Sequence, residues 1–117
     1  MNLPVTGEHR QLINLSAAIA KSIDHLADEL DAETGRSRQE LVDEARSLAA
    51  VAHDLNGVLS GRPSAEAEQR SFKELLDSWT VFHGKLNSLR GERFNDSQDL
   101  AAQLVTDIKR LEKQLRD

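Results

Sequence analysis

The chain has 117 residues, which is about the size of one domain. Hydrophobic residues make up 38% of it, and the core must be largely aliphatic because there are 17 leucines and 13 alanines but only three phenylalanines and one tryptophan. The net charge of −5 excludes the basic surface that non-specific nucleic-acid binding needs, and the absence of cysteine excludes disulfides, thiolate zinc sites and a cysteine nucleophile. Two prolines, six glycines and no tyrosine disfavour a sheet of short strands. We therefore expect a soluble, acidic, all-α domain with no nucleic-acid partner.

We expect no membrane span in this sequence and no signal peptide among its first residues. We expect residues 1–7 to be a disordered lead-in and residues 8–117 to form a single domain. No apolar run approaches the roughly 18 residues needed to cross a membrane. Glu8, His9 and Arg10 interrupt the stretch where a signal peptide would need its apolar segment. The compartment stays open between the cytoplasm and, if a signal was removed, the periplasm or the outside of the cell.

The first two predicted helices each carry one apolar stripe with residues three or four apart. The first covers about 8–33 and precedes Gly35, a residue suited to ending a helix. Its stripe is formed by Leu12, Ile19, Ile23, Leu26 and Leu30. The second covers about 38–60 and opens with the capping box Ser37–Glu40, whose serine and glutamate each satisfy a free backbone N–H. Its stripe is formed by Leu41, Ala45, Leu48, Ala52, Leu55 and Leu59.

The third and fourth predicted helices follow Gly61 and Pro63, which end the second. Ser64 can cap a helix over about 65–90. Its stripe is formed by Phe72, Leu75, Trp79, Phe82, Leu86 and Leu89. After Gly91 and a polar turn at Asn95–Ser97, the last helix covers about 97–116. Its stripe is formed by Leu104, Ile108, Leu111 and Leu115.

Four amphipathic helices joined by short loops predict an antiparallel up-down-up-down four-helix bundle, because no helix can bury its stripe alone. Gly57 and Gly84 lie inside predicted helices, where each costs about 1 kcal/mol relative to alanine, so we expect a close helix approach or a partner contact there. Val51, Val58 and Val81 lie off the stripes and are candidates for apolar contacts outside the core.

Cofactor sites of helical bundles need ligand patterns that this sequence lacks. A di-iron site uses Glu-x-x-His on a helix. The residues three positions before the four histidines are Thr6, Ser22, Ala50 and Thr80. The only methionine is Met1, which leaves no His/Met haem ligation within the bundle, and His25 with Asp28 or Glu29 predicts an exposed ion pair. We expect no cofactor and no metal, and the sequence identifies no small-molecule substrate.

His53 is the one candidate reactive residue. It lies off the stripe that contains Ala52 and Leu55, so its imidazole should project into solvent within reach of a partner. The stretch Ala-His-Asp-Leu-Asn-Gly resembles the His-x-Leu-Lys-Gly motif of histidine-phosphotransfer domains, which are small four-helix bundles, and the His-Asp-Leu-Asn start of some histidine-kinase H-boxes. That resemblance implies that His53 is a phosphoacceptor and that Gly57 is a docking position, with Asn56 in place of the lysine. An exposed histidine without chemistry is the alternative.

Two acidic clusters form a second candidate site. They are formed by Glu40, Asp43, Glu44, Glu74 and Asp77. They resemble the carboxylate clusters by which all-α nucleotide pyrophosphohydrolases of the MazG type hold magnesium, and in such a site the carboxylates must converge on a cleft. All five lie off the predicted stripes, which favours a solvated acidic face.

The sequence therefore predicts a non-catalytic helical bundle with a structural or protein-interaction role. The partner is expected to be another protein or a second copy of this chain. Histidine phosphotransfer through His53 is the first alternative, and a magnesium-dependent pyrophosphohydrolase is the second.

Overall fold

The computed structural model describes residues 6–34, 39–61, 64–88 and 95–116. Within these ranges the chain forms four helices and no strands. They are α1 (Thr6–Thr34), α2 (Gln39–Ser60), α3 (Ala65–Asn87) and α4 (Asn95–Arg116). Helix α2 packs between α1 and α3, and α4 packs on α1 and, more sparsely, on α3. The predicted four-helix bundle is confirmed.

Neighbouring helices run in opposite directions. Arg46, near the start of α2, pairs with Asp31, near the end of α1. Asn56, near the end of α2, bonds to Ile13 in the first half of α1. This antiparallel order is what short loops impose on helices that are adjacent in sequence.

Each helix buries the apolar stripe that its sequence pattern predicts. Because burying a leucine, isoleucine or phenylalanine side chain stabilises a fold by about 1.5–3 kcal/mol, the stripes are sufficient reason for the helices to assemble. The large, fully buried side chains are Phe82, Ile19, Ile23, Leu26, Leu30, Leu48, Leu55, Leu59, Leu75, Leu86, Leu104 and Leu111. Leu12 and Leu115 are only half-buried, and Leu89 lies outside the described residues. No helix, over the residues described, has an apolar segment long enough to cross a membrane.

The helix ends match the predictions in part. Ser64 caps α3 as predicted, because its Oγ accepts a hydrogen bond from the backbone N–H of Ala67 at 3.1 Å. Helix α1 begins at Thr6, so the last two residues of the predicted lead-in 1–7 are helical. Its other five residues lie outside the described ranges, as do the predicted helix signals Gly35, Ser37, Pro63 and Gly91.

The polar turn predicted at Asn95–Ser97 is wrong, because these residues already form the first turn of α4. The cause is Glu33 near the end of α1. Its carboxylate oxygen Oε1 accepts hydrogen bonds from the backbone N–H of Ser97, at 3.1 Å, and from the hydroxyl of the same residue, which is fully buried. A carboxylate at a helix N-terminus satisfies free N–H groups and interacts favourably with the helix dipole.

Helix α3 ends at Asn87, earlier than the predicted end near residue 90. Ser88 provides the C-cap. Its backbone N–H donates to the carbonyl of Gly84 at 3.1 Å, and its hydroxyl donates to the carbonyl of Lys85 at 2.7 Å. The serine side chain therefore satisfies a carbonyl of the last turn and ends the helix before the apolar pattern does.

The close helix approach predicted at Gly57 and Gly84 is also wrong. A Cβ added at either position would have no atom within 4 Å, apart from the helix's own nearby backbone. Both glycines are exposed. They therefore weaken their helices without a packing reason inside this chain, and the alternative of a partner contact there stays a prediction.

We expect Gly57→Ala and Gly84→Ala each to raise the free energy of unfolding by about 0.5–1 kcal/mol, because alanine reduces the backbone entropy of the unfolded chain and fits the helix. Urea unfolding followed by circular dichroism measures the change. Ala50→Gly, at an exposed position of α2, is the inverse control and should lower stability by a similar amount. A loss of stability in either alanine variant would show that the glycine has a conformational role.

Candidate functional site

A groove with a volume of about 380 Å³ lies between α2 and α3. It is lined by Glu44, Ser47, Leu48, Val51, Asp77, Ser78, Val81 and Phe82. Leu48 and Phe82 belong to the buried core and form its apolar base. Val81 is 58% exposed, and among the described residues no other large hydrophobic side chain is exposed. Of the other valines predicted to make contacts outside the core, Val51 and Val58 are half-buried, and Val51 packs against the core.

The edges of this groove are acidic. Glu44 on α2 forms an ion pair with Lys85 on α3, whereas Asp77 has no ion-pair partner among the described residues. Helical spacing places further carboxylates beside the groove, since Asp54 follows Val51 by three residues and Glu74 precedes Asp77 by three. Asp54 and Glu74 are exposed, and neither forms an ion pair within the described ranges. This edge of the bundle therefore carries an excess of negative charge, although Lys73 lies one helical turn from Asp77.

The edge between α1 and α2 is different, because its charges are paired. The guanidinium of Arg46 lies 3.3 Å from Asp28 through Nη1 and Oδ1, and 3.7 Å from Asp31 through Nη2 and Oδ2. His53 lies further along the same edge and bonds to Asp24. All five side chains are between about half and two-thirds exposed, so each pair contributes only about 0–1 kcal/mol, but each of the five already has a partner on the facing helix.

His53 is exposed on α2, as its position off the stripe predicts. Its Nε2 lies 2.8 Å from Oδ2 of Asp24 on α1. This contact engages Nε2 and holds the ring against α1. Gly57, one turn later, is exposed and has open space where a Cβ would be.

Asn56, which occupies the lysine position of the phosphotransfer motif, is turned toward α1. Its Nδ2 donates to the carbonyl of Ile13 at 3.0 Å and to Oγ of Ser16 at 2.9 Å. The Ser16 hydroxyl, itself buried, donates to the same carbonyl at 2.9 Å. The asparagine therefore links the two helices instead of facing a partner.

The remaining histidines make local contacts. His25 lies 3.9 Å from Glu29, which matches the predicted ion pair within one helix. His83 stacks on Trp79 with a centroid distance of 5.0 Å and an interplanar angle of 12°. The side chain of His9 lies outside the described residues. Within the described part of the chain, no three His, Cys, Asp or Glu side chains are grouped closely enough to hold a metal ion.

The five carboxylates of the pyrophosphohydrolase resemblance are only partly brought together. Glu44 and Asp77 line the same groove, whereas Glu40, Asp43 and Glu74 are exposed outside its lining. Asp43 accepts a hydrogen bond from the side chain of Gln39 at 3.1 Å. The resemblance stays a prediction, and release of pyrophosphate from a nucleoside triphosphate with magnesium would be its test.

A second groove, about 450 Å³ in volume, lies between α3 and α4. Its apolar residues Phe72, Leu76 and Leu115 are buried or half-buried. Arg70, Lys73 and Glu112 also line it, so its charge is mixed. It differs from the α2–α3 groove in having neither a largely exposed apolar side chain nor an excess of acid.

Sequence reasoning missed the partners that fix His53 and Asn56. The sequence contains part of the information, because Asp24, Asp28 and Asp31 recur on one face of α1 and could have been recognised as partners for basic or histidine side chains. Comparisons of the chain with protein-family models, with curated proteins and with solved structures found no match.

Proposed function

We propose that this chain is a non-catalytic protein-interaction module that binds its partner in the groove between α2 and α3. The observation that carries the proposal is the exposure of Val81 above a groove with an apolar base. An isolated exposed valine is common on protein surfaces. This one adjoins Val51 and the buried side chains of Leu48 and Phe82, so a partner could cover a continuous apolar strip.

The unequal edges of the bundle support the choice of this groove. Along the α1–α2 edge, Arg46 and His53 already bond to aspartates of α1. Along the α2–α3 edge, Asp77 is not paired with any described residue and Val81 has no cover. A partner that buries Val81 and forms an ion pair with Asp77 would be stabilised by both contacts.

Site-specific photo-crosslinking in the cells that express the protein tests this proposal. A photoreactive phenylalanine analogue is placed at Val81 or, as a control, at Thr106, an exposed residue of similar shape on α4. We expect a discrete adduct from position 81 and none from position 106. The adduct is identified by mass spectrometry, and the purified partner must form the complex again. Equal adducts at both positions, or none at position 81, would overturn the proposal.

Histidine phosphotransfer through His53 is a second candidate. It is supported by the exposure of His53 in the middle of α2 and by the open space at Gly57, one turn away. In this reaction the phosphoryl group leaves the aspartyl phosphate of a receiver domain, a nitrogen–phosphorus bond forms on the imidazole, and the ring loses a proton. The contact with Asp24 orients the ring, but it also engages Nε2.

Incubation with a phosphorylated receiver domain tests the second candidate. Phosphotransfer predicts an acid-labile phosphate that His53→Gln removes, while His25→Gln, a matched exposed control on α1, keeps it. No label at all, or label that survives His53→Gln, would contradict this function without affecting the groove proposal.

A further inference from the structure

We infer that the occupant of the α2–α3 groove is a basic amphipathic helix of another protein. This inference rests on the proposed function and names the chemistry of the partner. Apolar grooves between two helices are a recurring binding site for a third helix, whose anchors lie at positions i, i+3, i+4 and i+7. Here the lining runs from Glu44 to Val51 on α2 and from Asp77 to Phe82 on α3. On α2 this is about 10 Å, or two helical turns.

The charges around the groove select a basic partner. Glu44 and Asp77 lie within the lining, and Asp54 and Glu74 lie one helical turn from lining residues. Lys85 pairs with Glu44, and Lys73 lies one helical turn before Asp77, so the four carboxylates outnumber the two cations that the same spacing places around the lining. Carboxylates on both sides of an apolar strip match lysine or arginine residues on both sides of an apolar stripe.

The side chains of lysine and arginine also suit the valine. Their aliphatic stems can lie along Val81 and Val51 while their charged ends reach the carboxylates at the edges. An acidic helix would bring like charges together, and two copies of a chain with a net charge of −5 repel each other. A partner of opposite charge is therefore favoured over a second copy.

A designed helical peptide of about 18 residues, with leucines at i, i+3, i+4 and i+7 and lysines on both flanks, is the probe. Two matched peptides keep the leucines and replace the lysines with glutamine or with glutamate. Fluorescence anisotropy measures the affinities, and two-dimensional NMR of the labelled protein maps the contact. We expect the lysine peptide to bind at least about tenfold more tightly than the glutamine peptide, the glutamate peptide not to bind, and the shifts to lie along 44–51 and 77–82.

Two substitutions separate groove binding from attraction by net charge. Val81→Asp adds a negative charge, so general attraction of the lysine peptide would increase, whereas docking in the groove should weaken by about tenfold because the apolar contact is lost. Thr106→Asp adds the same charge on α4, which contributes no residue to the lining, and should leave the affinity almost unchanged. Circular dichroism checks that both variants fold. A second pair of substitutions reverses one charge each. Asp77→Lys lies inside the groove and should weaken binding, whereas Asp99→Lys lies outside it and should not.

The possible outcomes distinguish this inference from the proposed function. The inference is overturned if Val81→Asp and Thr106→Asp change the affinity for the lysine peptide equally. NMR shifts elsewhere on the protein also overturn it. Equal binding of the lysine and glutamine peptides in the groove also overturns it, although the groove remains a docking surface. A dimer in light scattering that Val81→Asp dissociates identifies a second copy as the occupant and rejects the basic helix. Failure of crosslinking at position 81 removes the proposed function itself.

Discussion

Replacing Phe82 with alanine is expected to lower the free energy of unfolding by about 3–5 kcal/mol. Phe82 is 1% exposed, contacts Trp79 with a ring-centroid distance of 6.0 Å, and belongs to the base of the α2–α3 groove. Truncation removes its transfer free energy and leaves a cavity that the helices can only partly fill. Since small domains are stable by only about 5–15 kcal/mol, the variant should unfold at a much lower urea concentration.

The adjacent residue provides the control for this experiment. Val81 is the next residue back along α3 but is mostly exposed, so Val81→Ala should change stability by no more than about 0.5 kcal/mol. Urea titrations of both variants, followed by circular dichroism and by the fluorescence of Trp79, measure the difference. Similar losses in the two variants would mean that α3 does not face the core as the structure shows.

Replacing Asn56 with alanine is expected to lower the free energy of unfolding by about 1–3 kcal/mol. The substitution removes two hydrogen bonds from Asn56 Nδ2, one to the carbonyl of Ile13 and one to Oγ of Ser16. Because these groups lie in the partly buried contact between α1 and α2, water restores their hydrogen bonds only in part. Asn14→Ala, at an exposed position of α1, is the matched control and should have little effect.

A double-mutant cycle with Ser16→Ala tests whether the two side chains act together. Removing both should cost less than the sum of the single losses, by about 0.5–1 kcal/mol, because either single substitution already breaks the hydrogen bond between Asn56 and Ser16 and the second has no such bond left to break. Additive losses would show that the hydrogen bond between Asn56 and Ser16 contributes no net stability.

The stripes of the helices could be predicted from the sequence because they depend on local periodicity. A leucine or isoleucine every three or four residues specifies which face of a helix is buried, wherever the partner helix comes from. The same argument placed His53 on the solvent side of α2, and the structure agrees. Ser64 was recognisable as a cap because its partner, Ala67, is three residues away.

The features that depend on distant residues could not be predicted in this way. Glu33 extends α4 from a position 64 residues earlier in the chain. Asn56 lies next to Leu55 and one turn from Ala52, so its place near the core is visible in the sequence, but its bond to Ile13 is not. To predict the acidic edge of the groove, one must know how α2 and α3 are aligned along each other, and local spacing in the sequence does not give this register. That register brings Glu44 and Asp77 to one groove.

The most direct measurement of the central claim is the dissociation constant of the partner recovered by crosslinking, titrated against the wild type, Val81→Asp and Thr106→Asp. Binding in the α2–α3 groove predicts that Val81→Asp weakens the complex by about tenfold or more, which corresponds to about 1.4 kcal/mol. Thr106→Asp should bind like the wild type. Equal dissociation constants for all three proteins would contradict the claim that this groove is the binding surface.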